Sequence, residues 1–179
     1  MPKTPLAALL AVALALWATP VGAAMNDKEK GEVAALVGSA KVTLEEGLKT
    51  SKKSGKPISA KFEIEKGKPQ LSVYTVKDGI KYSEVIVDHA SGEIGKTEPI
   101  TGGEDLTAAK QQSAALVRAT RELREAVREA KRDNPGYQAA SVWAEMKDHH
   151  SLATVMLVKG NDWKTTVIDL TVYKTLLKE

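Results

Sequence analysis

Cysteine is absent from the 179 residues, and aromatic side chains make up 4% of them, with a single phenylalanine. The first absence excludes thiol catalysis and any disulfide framework, so stability has to come from a packed apolar core. Charge of one sign is lacking too: 26 Lys and Arg face 23 Asp and Glu, for a net charge of +3. So even a balance, with few aromatics among the basic residues to stack on bases, argues against a nucleic-acid partner. Neither a Gly-x-Ser-x-Gly elbow nor a phosphate-cradling glycine loop occurs. The chain is therefore expected to be non-enzymatic, with no cofactor and no resident metal.

Long apolar runs are confined to the N-terminus. Lys3 precedes Leu6 to Trp17, Pro20 closes the run, and Val21-Gly22-Ala23-Ala24 supplies small residues. This is the pattern of a secretory signal peptide over residues 1–24, cleaved after Ala23 or Ala24. The run is well short of the ~20 residues that a spanning helix needs, which argues against a stable membrane anchor. No cysteine follows that could carry lipid. Cleavage removes Lys3 and leaves a net charge of about +2. The expected location is the periplasm, or the extracellular space if the source has one membrane.

Beyond Met25 the patterning alternates between helix and strand periods. Val33, Leu36, Val37 and Ala40 recur at helical spacing within Asn26 to Ala40. Thr43 and Glu46 form a capping box for a second short helix, with Leu44 and Leu48 one turn apart. Gly55 and Pro57 end it. Ile58, Ala60, Phe62 and Ile64 then alternate with polar residues, as a strand with one buried face requires. Gly67 and Pro69 mark a turn, Leu71, Val73 and Tyr74 lie on a second strand, and Asp78-Gly79 suits a tight hairpin. Tyr82 to Asp88 reads as the third strand. The order then repeats in blurred form. Thr101 to Asp105 is a linker, a long helix is expected from Leu106 to Arg132, and Asn134-Pro135-Gly136 stops it. Three strands follow, at Tyr137 to Met146, Leu152 to Lys159 and Trp163 to Tyr173.

The expected fold class is therefore α+β. Two tandem units, each a helix plus a three-stranded antiparallel meander, span 25–100 and 106–179, with the helices packed on one sheet face. The strands either pair into one long sheet or form two neighbouring sheets. The first unit resembles the PepSY domain, an export-associated module of protease propeptides and small envelope proteins. The resemblance rests on Val42-Thr43-Leu44-Glu45-Glu46-Gly47-Leu48, Gly55-Lys56-Pro57, Val73-Tyr74-Thr75-Val76, Tyr82 through Asp88 and Ser91-Gly92-Glu93. Gly47 departs from it, since such domains more often carry alanine there. The resemblance implies a protein partner, with a peptidase that is recognised or restrained as the candidate class. Tandem units of this kind also resemble the β-lactamase inhibitor protein architecture, in which a concave sheet face grips an enzyme.

Candidate contact residues are Trp143, Trp163, Arg121 and Arg128. Trp143 is out of phase with Val142 and Ala144, so it faces away from the helix layer. There it is either an exposed anchor for a partner or is covered by a second layer of the same chain. Arg118, Arg121, Arg124, Arg128 and Arg132 fall on one side of the long helix. That stripe is either a docking surface for an acidic partner or a solvated face stitched by pairs such as Arg118–Glu122 and Glu125–Arg128. His149 and His150, with Asp148, could be read as metal ligands. Neighbouring histidines on a strand point opposite ways, and a polar hairpin turn accounts for them better. The expected role is an exported binding protein that works by surface occlusion. A small apolar-ligand carrier and a metal-handling envelope protein are the alternatives.

Overall fold

The computed structural model describes residues 25–171. The expected signal peptide, and Val172 and Tyr173 of the last expected strand, lie outside the described residues. Four helices run over Asp27–Ser39 (α1), Leu44–Ser51 (α2), Gly103–Ala115 (α3) and Leu123–Arg132 (α4). Seven strands run over Lys56–Glu65 (β1), Lys68–Lys77 (β2), Lys81–Val87 (β3), Ile94–Ile100 (β4), Gln138–Lys147 (β5), His150–Lys159 (β6) and Asp162–Asp169 (β7). All pairings are antiparallel, and the strands form one open sheet in the order β4-β3-β2-β1-β5-β6-β7. The α+β class holds, and the question of one sheet or two resolves to one.

The capping box at Thr43 forms as its residue types require. Glu46 N–H donates to Thr43 Oγ1 at 3.3 Å, and Thr43 N–H donates to Glu46 Oε2 at 2.7 Å. Strand alternation sends Ala60, Phe62, Leu71, Val73, Val85 and Val87 to one face. Across the seam between β1 and β5, Ala60 opposite Val142 carries this apolar face onto Ala144, Ala153, Val155 and Ile168. The helix α2 closes on it, with Gly47 against Leu71, and α4 covers the β5–β7 side with Leu123, Ala126, Val127 and Ala130.

Two hydrogen-bonding details repeat along the chain. β1 carries a bulge between Pro57 and Ser59, and β5 carries one between Ala139 and Ser141. The β1–β2 turn has Lys66 and Gly67 at positive φ, and the β5–β6 turn has Asp148 and His149. In each case the later feature follows the earlier at the same chain separation. The two sides of the sheet are thus built alike about the β1–β5 seam.

Four expectations need correction. The helix expected over Leu106 to Arg132 is two helices, α3 and α4, separated by Leu116 to Glu122. The cause is tertiary. Thr120 and Arg121 donate their N–H groups to Leu170 O at 2.9 and 3.1 Å, not to carbonyls one turn back, and Glu122 with Glu125 then caps a new helix. The expected linker is also shorter, because α3 already begins at Gly103. Nor do all helices share one face. Ser59 points away from Ala60, and its Oγ lies 2.8 Å from Oε1 of Gln112, which places α3 on the opposite face of the sheet. Finally, β4 adds an edge strand that its Gly95, Pro99 and polar residues did not announce.

Candidate functional site

The densest group of ionisable side chains lies on the face that α3 occupies. Alternation along β1 brings Lys61, Glu63 and Glu65 to this side, and the ladder sets Gln70, Ser72 and Tyr74 of β2 beside them. Glu84 of β3 stands opposite Tyr74, and Asp105 interacts from the first turn of α3. Lys61 Nζ is 2.6 Å from Glu63 Oε2 and 5.9 Å from the centroid of the Tyr74 ring. The Tyr74 hydroxyl donates to Glu84 Oε1 at 3.4 Å. Gln70 Nε2 donates to Ser72 Oγ at 2.9 Å, Glu65 Oε2 at 3.0 Å and Glu63 Oε1 at 3.3 Å.

Four carboxylates stand around one lysine, all partly removed from water, and the proton affinities of Glu84, Asp105, Lys61 and Tyr74 are displaced. Burial raises Glu84 above the ordinary carboxylate range, against a Ser72 hydrogen bond, and Glu63 and Glu65 add to the rise. Burial raises Asp105 as well, with Lys61 opposing. Lys61 is pulled below the usual lysine range by burial, with Glu63 holding it back. Tyr74 is kept protonated, again chiefly by burial and then by Glu63. Chemically the group is an anionic, hydrogen-bonding surface suited to receiving a cation. It aligns no hydroxyl nucleophile with a histidine base.

A second concavity, about 280 Å³ in volume, opens where α2 ends, β1 begins and the α3–α4 connection passes. Leu48, Pro57 and Leu123 contribute its apolar wall, and Lys56 and Arg124 bring positive charge to it.

The four expected contact residues fare differently. Trp143 does point away from α2 and α4, but it is 7% exposed and lies on the face covered by α3. The covered alternative is the one found. Arg121 is not on a solvated stripe. Its side chain is 8% exposed, its guanidinium pairs with Glu129, and Nη1 donates to Asp169 O at 3.1 Å. Arg128 is exposed on α4, and Trp163 on β7 is half-buried against the core. The stitching pairs also differ from expectation, since Glu122 bonds Lys52 at 2.6 Å and Arg132 reaches Asp133 at 3.2 Å. His149 occupies a hairpin turn at φ 66°, and His150 Nδ1 sits 3.4 Å from Asp169 Oδ2. Among the described residues, no group of three His, Asp or Glu side chains is placed to hold a metal ion.

The cluster around Lys61 was missed by sequence reasoning, although a signal existed. The register across Lys66-Gly67 brings Lys61 and Glu63 to the face of Tyr74. Lys77 pairs with Lys81, so the β2–β3 loop is Asp78-Gly79-Ile80 and sets Tyr74 opposite Glu84, whereas a two-residue Asp78-Gly79 turn would set it opposite Ser83. Glu84, whose face depends on the third loop residue, and Asp105, delivered by α3, are out of reach of turn residues alone.

No family model matches the chain, and no curated protein matches it. Membership of the PepSY family is therefore not established, and the likeness stays at the level of the motifs. Among solved structures, the chain is similar to a "putative lipoprotein" from Clostridium difficile 630. The identity is 18%, the match covers 73% of this chain and 84% of that one, and the TM-score is 0.39. Among the described residues, no helix is long and apolar enough to cross a membrane.

Proposed function

We propose that this is an exported, non-catalytic binding protein of the PepSY type, and that it recognises or restrains a protein partner. A peptidase is the partner class that the motif resemblance implies. The observation that carries the reading is the charge on the sheet face beside α3. Glu63, Glu65, Glu84 and Asp105 surround one lysine, and burial, with the nearby Glu63 and Glu65 charges adding to it, raises the proton affinity of Glu84 and Asp105. A lysine or arginine of the partner would relieve that repulsion, and charge complementarity of this kind favours fast, selective association. With Trp143 buried, occlusion would fall to this face. The N-terminal sequence pattern supports export to the periplasm or the outside of the cell.

The test is crosslinking of tagged protein in envelope and secreted fractions, compared with a Glu63→Lys/Glu84→Lys variant whose fold is checked by circular dichroism. Enrichment of a peptidase or another envelope protein by the wild type, lost in the variant, is the expected result. Equal enrichment by both, or none by either, would sink the sheet-face reading. A small-ligand carrier is the second reading, and the cleft lined by Leu48 and Arg124 is what favours it.

A further inference from the structure

Four cationic side chains line the cleft between α2, β1 and the α3–α4 connection, and two of them are already neutralised. Lys52 Nζ lies 2.6 and 2.7 Å from the two carboxylate oxygens of Glu122. Arg121 is paired with Glu129. Lys56 Nζ reaches only a carbonyl, Leu116 O, at 3.3 Å. Arg124 forms no salt bridge among the described residues, and its Nε–H is shut away from solvent with no acceptor. A buried donor left without an acceptor is uncommon in folded proteins and asks for an explanation. Here it belongs to a guanidinium on the wall of a concavity whose other surface is Leu48, Pro57 and Leu123.

We infer that this cleft is a binding site for a small apolar monocarboxylate, with the carboxylate on Arg124 and Lys56 and the apolar body against Leu48 and Leu123. The planar guanidinium offers parallel N–H groups that match a carboxylate. Glu122 at the rim argues against a doubly charged phosphate, because it leaves no more than two unneutralised cations to meet the ligand. A volume of about 280 Å³ holds on the order of ten non-hydrogen atoms, at about 30 Å³ each as in liquid water. That is the size of one C-terminal peptide residue or of a short fatty acid. The inference is independent of the sheet-face reading, since the cluster around Lys61 shares no residue with the cleft.

Calorimetric titration of the purified protein with N-acetyl-leucine, N-acetyl-leucinamide and hexanoate tests it. At least one of the two acids should bind saturably, and the amide should bind at least about tenfold more weakly than the acid it derives from. Binding of N-acetyl-leucine alone would identify a peptide C-terminus, hexanoate alone a free fatty acid, and both a general carboxylate site. Arg124→Gln should weaken binding by at least about tenfold. Arg124→Lys, which keeps the charge but loses the fork, provides a second variant if the first does not fold. No saturable binding of either acid, an amide that binds as well as its acid, or full affinity in an Arg124 variant would overturn the assignment.

Discussion

Gly47 lies inside α2, where alanine would be favoured by about 1 kcal/mol on helix propensity alone. The packing beneath it reverses that preference. A Cβ added there would stand 2.5 Å from Leu71 Cδ2 and 3.1 Å from its Cγ, and Leu71 is fully buried. Overpacking a tight core costs about 1–3 kcal/mol, which exceeds the propensity gain. Gly47→Ala is therefore expected to lower Tm in a thermal melt, and a raised Tm would refute the close contact. The departure from the PepSY pattern at this position thus has a steric cause within this chain. Glu84 gives a pH-dependent case. Its raised folded-state pKa means that the native protein holds the proton more tightly than the unfolded chain does. The stability linked to it is complete below the unfolded value and declines as pH climbs through the folded one. Glu84→Gln should consequently melt higher than wild type at about pH 7, with the gap closing in acid below the ordinary value of 4.5. A gap that stays constant with pH would break the link to ionisation. A face kept for binding at the expense of stability would behave in this way.

Among the elements, the α3–α4 connection is where local sequence logic fails most clearly. Nothing in Leu116 to Glu122 breaks a helix by residue type, because the acceptor that captures Thr120 and Arg121 is the carbonyl of Leu170, 50 and 49 residues away. Arg121 then ties α4 to the end of β7 through Glu129 and Asp169. Arg121→Ala would leave the Glu129 carboxylate buried without this partner, and such a loss typically costs about 3–5 kcal/mol. We expect a large drop in the denaturation midpoint, much of it recovered when Glu129→Leu is added. A small change in the single variant would show that the pair contributes little. By contrast, α2 and the meanders were legible because their causes are local. The Thr43–Glu46 box, the alternation from Ile58 to Ile64 and the Asp78-Gly79 turn all act within a few residues. Trp143 falls between these cases. Its phase against Val142 gave the correct face, but only the placement of α3 determines that the face is covered.

At the scale of the molecule, the two sides of the sheet use the same devices in the same order: a bulge in the first strand, a left-handed two-residue turn, then a second hairpin. His149 takes the place in its turn that Gly67 takes in the other, so the histidine is explained by backbone position without a ligand. The symmetry is broken by what is added. On one side β4 extends the edge, and α3 crosses the reverse face and buries Trp143. These additions create the two candidate sites, the charged face beside α3 and the cleft beneath its C-terminal end. The features alike on the two sides thus build the sheet, and the additions that are not repeated form the two candidate sites.

The β1–β5 seam has a mechanical consequence. Three residue pairs join those strands, Ser59 to Trp143, Ala60 to Val142 and Lys61 to Ser141, whereas β1–β2 and β5–β6 zip along most of their length. Across the same line, α2 and α4 are latched by Lys52–Glu122 and by Glu45–Lys131 at 2.8 Å. The molecule is in effect a book whose backbone stitch is short, and whose spine is bound mostly by side chains: two ionic clasps, and the helices α1 and α3 that pack on both β1 and β5. Were that spine to part, each leaf would present a bare strand, β1 or β5, already shaped to receive its counterpart from another copy.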